Sequence, residues 1–168
     1  LFGMHYHDAM FWGSLVMLAY TFFGGFLAVS WSDVLQGTLM FLALVLVAAM
    51  GVAMTGGLGD MAAALEARNP ALLDPFVGES GQAIGAIGIV SLLAWGLGYP
   101  GQPHILARFM AIRDASEMPT ARRVAMGWVI VVLLAAIVVG MAGILVLDPP
   151  LAGTDSEKVF VVMSATFL

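Results

Sequence analysis

The 168-residue sequence has no cysteine, which excludes disulfide bridges and thiolate metal sites. Charge is scarce as well: 10% of the residues are Asp, Glu, Lys or Arg, against about a quarter in soluble domains. Basic residues are the scarcer sign, six Lys and Arg against eleven Asp and Glu, and no basic stretch points to a nucleic-acid partner. Catalytic signatures are missing too. There is no His-Glu-x-x-His, no Gly-x-Ser-x-Gly and no pair of carboxylates inside an apolar run, so no enzyme is expected. No charged region precedes a short apolar core at the start, so no signal peptide is expected. The chain opens on Leu1 and closes inside the apolar run VFVVMSATFL (159–168), and it reads as the middle of a longer protein.

What the sequence has in abundance is apolar surface, 61% of its residues. Four segments approach the roughly 20 apolar residues that a membrane-spanning helix needs. They run over about 9–29, 34–54, 83–108 and 124–147, and 159–168 begins a further element. The expected fold class is therefore an all-α integral membrane protein with four transmembrane helices. Local signals suggest the boundaries. In SWSDVLQ, a tight turn at Trp31–Asp33 is expected, with Ser32 or Asp33 capping the second helix. TGGLGD ends that helix and DPPLAG ends the fourth. The pair Gly24-Gly25 reads as a close-packing position between helices.

Orientation follows from the arginines. Arg108, Arg113, Arg122 and Arg123, four of the six basic residues, lie between the third and fourth helices, which places that connection in the cytoplasm. The 57–82 and 148–158 loops then face outside. A short helix is expected around Asp60–Arg68, in what is either a lid or a connector.

The most informative stretch is AWGLGYPGQPHILARFM (94–110), which sets Gly96, Gly98, Pro100, Gly101 and Pro103 inside an apolar helix. At about 1.5 Å per residue from Ala83, Trp95 lies roughly 18 Å into the membrane. The prolines remove amide donors there and the glycines make irregular backbone accessible. Unsatisfied backbone groups in lipid cost several kcal/mol each, so such a break is tolerated only where it is buried in protein or lines a wet cavity. Transporters place substrates and ions at discontinuous helices of this kind. A kink with an interfacial aromatic belt is the plainer alternative. Trp95, Tyr99 and Pro103, spaced by four, would share one side of any helical portion, and the Gln102 amide could bond a carboxylate. His104 could serve coupling or simply bond at the interface. Arg108 could snorkel to headgroups or pin an inner gate. Asp33 reads as a helix cap. His5, His7 and Asp8 have metal-like composition, but no metal site is assigned to them.

At these residues the chain resembles the sodium:solute symporter family, and within it the bacterial sodium/proline symporters. AWGLGYPGQPHILARFM is similar to the matching segment of those proteins. YTFFGGFLAVSWSDVLQ (20–36) is similar to the family signature, an aromatic-Thr pair before Gly-Gly-Phe and then a Trp-x-Asp turn. Pro100 departs from the pattern, since many members carry an aromatic residue there. The resemblance implies a leucine-transporter-type fold of two inverted five-helix repeats, with these four helices as the fourth to seventh of the core. It also implies sodium-coupled import of proline across a bacterial plasma membrane by alternating access. Trp95, Tyr99, Gln102 and Pro103 would lie on the substrate side, and Asp33, His104 and Arg108 would be coupling or gating candidates. No cofactor is expected beyond the coupling ion sodium, whose main site falls on helices outside this sequence. A symporter for another small solute, the membrane input domain of a sensor kinase and a purely structural membrane subunit are the other readings.

Overall fold

Long runs of apolar residues with no polar face satisfy their backbone internally, and the helix is the local way of doing so. The computed structural model describes residues 5–78, 81–149, 151 and 153–167, without the side chains of Trp95 and Pro100. Among the described residues six α-helices follow one another: α1 (Tyr6–Met54), α2 (Leu58–Arg68), α3 (Ala86–Gly98), α4 (Pro103–Met110), α5 (Met118–Val146) and α6 (Val159–Phe167). Among the described residues, α1 and the Ala115–Val146 segment containing α5 are long and apolar enough to cross a membrane. α3, with 13 residues, is a shorter apolar helix.

The chain divides between Ala43 and Leu44 into two units. In the first, α1 is interrupted once, at Gly25, whose backbone sits at φ 55°, ψ −150°. That region is open to glycine and strained for any other residue. The turn expected at Trp31–Asp33 is not there: these residues are helical, and the break lies six positions before Trp31. The serines explain the difference. Ser30 Oγ donates to the Phe26 carbonyl at 2.8 Å and Ser32 Oγ to the Val29 carbonyl at 2.9 Å, so their hydroxyls bond back along the helix instead of capping a new one. Thr38 does the same to Val34 at 2.7 Å. Asp33 is therefore an interior helical residue and not an N-cap. Phe22 and Phe23 are 84% and 86% exposed, which suits a lipid-facing surface and not an aqueous one.

The second unit holds a small core. Val47 and Ala48 from the end of α1, Met61 and Leu65 from α2, Ala135, Val139 and Ala142 from α5, and Met163 from α6 are all buried. Small residues let the helices approach. A Cβ added at Gly51 would lie 2.7 Å from the Ala142 Cβ, and one added at Gly143 would overlap the Val159 side chain. The surface helix expected over 60–68 is present as α2, starting two residues earlier. Met61 and Leu65, one turn apart, seat it in this core, and Arg68 at its end donates from Nη1 to the Ile144 carbonyl of α5 at 2.7 Å. After α2, Asn69 and Asp74 each accept a backbone amide two residues on, from Ala71 and Phe76, and shape the following turns.

Candidate functional site

The glycine–proline cluster stops α3 at Gly98. Pro100 has no amide hydrogen to offer the Gly96 carbonyl, and Pro103 has none for the Tyr99 carbonyl. Tyr99–Gly101 form a single tighter turn instead, in which the Tyr99 carbonyl accepts the Gln102 amide at 3.1 Å. Gln102 then extends, at φ −86° and ψ 119°, the conformation favoured before a proline. Pro103 occupies the first position of α4, where its missing donor costs nothing. The Gln102 carbonyl accepts from both the Ile105 and Leu106 amides at 3.1 Å, so its main chain caps α4. Its side chain makes no capping bond, which leaves the amide for other partners.

This geometry brings some of the expected residues together and separates others. Tyr99 keeps helical dihedrals at the end of α3, so it continues the side on which Trp95 lies one turn earlier. The Trp95 side chain, part of the expected aromatic wall, falls outside the described residues. Pro103 does not continue that side. The extended Gln102 breaks the helical register between residues 99 and 103, so the spacing of four no longer places them on one face. Tyr99 and Gln102 instead bracket the turn, the tyrosine 42% exposed and the glutamine half-buried. His104 and Arg108 stand one turn apart on α4, both exposed, with Arg108 in the last turn, where a cation is favoured.

The connection from α4 to α5 is ordered by Asp114. Its Oδ1 accepts the Ser116 amide at 2.8 Å, and the backbone and then the side-chain hydrogen bond from Ser116 hold its carboxyl below the usual carboxylate range. Among the described residues no group of three or more His, Asp or Glu side chains gathers into a metal-binding cluster, and His5, His7 and Asp8 form none.

The sodium:solute symporter family model matches residues 1–163. The chain is 47% identical over 144 residues to the high-affinity proline transporter PutP of Bacillus subtilis, covering 86% of this chain and 29% of that protein. It is 43% identical over 164 residues to the osmoregulated proline transporter OpuE of the same organism, covering 97% and 32%. To the sodium/proline symporter of Escherichia coli it is 41% identical over 165 residues, covering 95% and 32%. The chain thus spans about a third of the length of the relatives it matches. No solved structure matches it.

Proposed function

The chain belongs to the sodium:solute symporter family, and from that premise we propose that it forms part of a transporter that imports proline with sodium. The single observation that carries the reading is the break at Tyr99–Gln102 in a chain whose similar relatives are proline transporters. Tyr99 and Gln102 bound a turn where the regular helix is lost, setting an aromatic ring and a side-chain amide beside it for a small zwitterion with an apolar side. Trp95, four residues before Tyr99 in the sequence, is the further substrate-side residue of this reading. Pro103 acts by starting α4 and fixing the preceding extended residue, and not by facing solute with Tyr99.

In this reading the fold is the inverted-repeat type, and the chain supplies four crossings in a bacterial plasma membrane. The first two are divided at Gly25, the one non-helical residue inside α1. Residues 86–110 form the broken third crossing and 118–146 the fourth. The connection between them lies inside, with Arg108, Arg113, Arg122 and Arg123 at or beside it. Sodium favours the outward-open state and raises proline affinity, and both leave inward as the assembly rocks. The main sodium site lies on helices beyond this chain. Asp33, within the second crossing, and His104 and Arg108, on the inner half of the third, serve coupling or gating.

Radiolabelled proline uptake into vesicles bearing the full transporter, with and without a sodium gradient, tests this. Tyr99→Ala is expected to weaken apparent proline affinity about tenfold, the factor that ~1.4 kcal/mol represents. Uptake that ignores sodium would refute the coupling, and an unchanged affinity in Tyr99→Ala would refute the site.

A further inference from the structure

Where α4 ends and α5 begins, the helices leave a groove of about 550 Å³. Its walls include Phe109, Ile112, Met118 and Met126, and the stems of Arg108 and Arg122 complete an almost wholly apolar lining, with their charged ends at its rim. The neighbouring cation is arranged differently. Arg123 folds back on its own helix, donating from Nε to the Pro119 carbonyl and from Nη2 to Thr120 Oγ1, both at 3.3 Å. Arg123 is thus committed to the helix start, while the Arg122 stem lies along the groove. The groove sits at the end of the apolar run that begins at Val124, where a membrane helix meets the headgroups.

We propose that this groove holds one anionic phospholipid, its phosphate between Arg108 and Arg122 and an acyl chain along Phe109, Met118 and Met126. Charge and shape select this occupant. Residues 108–123 carry four arginines against Asp114 and Glu117, a net excess of two positive charges. The start of α5 adds the positive end of its backbone dipole. A free phosphate would leave the apolar walls uncovered. A zwitterionic lipid would bring a cation to two arginines. Basic pockets beside transmembrane helices on the cytoplasmic side suit anionic headgroups for the same reason. The proposal rests on the membrane embedding of α5 and is independent of the solute carried.

Native mass spectrometry of the full transporter, released from detergent with phosphatidylglycerol or phosphatidylcholine, tests it. The wild type is expected to keep one phosphatidylglycerol in preference to phosphatidylcholine. Arg122→Gln is expected to weaken this about fivefold, the factor for ~1 kcal/mol per arginine near an anionic headgroup. Arg122→Lys should retain most of it, and Arg123→Gln should leave it unchanged. Ala125→Trp, which fills the groove without altering charge, should abolish it. Equal losses in Arg122→Gln and Arg123→Gln would overturn the site in favour of bulk surface charge. Displacement by inorganic phosphate alone would overturn the acyl-chain part. No lipid retained by the wild type would mean that another segment of the protein fills the groove, and would also overturn the proposal.

Discussion

Arg68 donates from Nη1 to the carbonyl oxygen of Ile144 at 2.7 Å, joining the end of α2 to the end of α5 across 76 positions of sequence. The last carbonyls of a helix have no donors within it, and its C-terminal end carries partial negative charge, so a guanidinium is well suited to that place. Together with buried Met61 and Leu65, this bond makes α2 part of the core and not a loose lid.

Removing the bond by Arg68→Ala is expected to cost about 1 kcal/mol, since the arginine is exposed and water replaces part of the bond. Hydrogen exchange of the detergent-extracted protein should show faster exchange in α2 and in the last turn of α5. Unchanged exchange in both would show that the core alone holds α2.

The close approach of α1 and α5 makes Gly51 irreplaceable in a way that Gly140 is not. Gly51→Ala forces a Cβ against Ala142 and is expected to destabilise by about 1–3 kcal/mol. Gly140→Ala meets nothing within 4 Å and should leave the thermal midpoint unchanged or slightly raised. Equal midpoints for the two variants would contradict the packing.

At Gly25 the constraint is the backbone and not space. An added Cβ there would meet nothing within 4 Å, yet φ is +55°. Gly25→Ala is expected to cost about 1–3 kcal/mol through strain alone. A variant as stable as the wild type, by thermal unfolding in detergent, would mean that the chain does not need this conformation.

Asp114 sets a pH response outside the membrane-spanning segments. Its carboxyl titrates lower when bonded to Ser116 than when free, so the bond adds stability above the ordinary carboxylate pKa. That contribution is lost as pH falls through the depressed value. The Ser116 amide should therefore stay protected at mildly acidic pH and open only below the usual carboxylate range. In Asp114→Asn the amide should show no such acid transition.

Much of this was legible in the sequence because its causes are local. Proline lacks a donor wherever it stands, so the end of α3, the turn at 99–101 and the restart at Pro103 could be read from residue types. The apolar runs likewise announce membrane helices. The residues that misled are those with two local options. Ser32 can cap a helix or bond back along one, and only the surrounding chain decides between them. Gly24-Gly25 reads as a packing surface, but the structure uses Gly25 for a positive φ, which puts the break there. For Tyr99 and Pro103, a spacing of four implied one face, but a single extended residue between them removes the helical register on which that inference rests. The seat of α2 and the bond from Arg68 lie between distant parts of the chain, beyond the reach of any short window.

The contact between residues 68 and 144 also distributes inheritance unevenly. Its acceptor is main chain, which every amino acid supplies, so position 144 can drift through any side chain the packing admits without breaking the bond. Position 68 has no such freedom, because few side chains combine the reach with a charge. Across descendants the two sites would not change in step, and a search for paired substitutions would pass over a bond that ties two helices together.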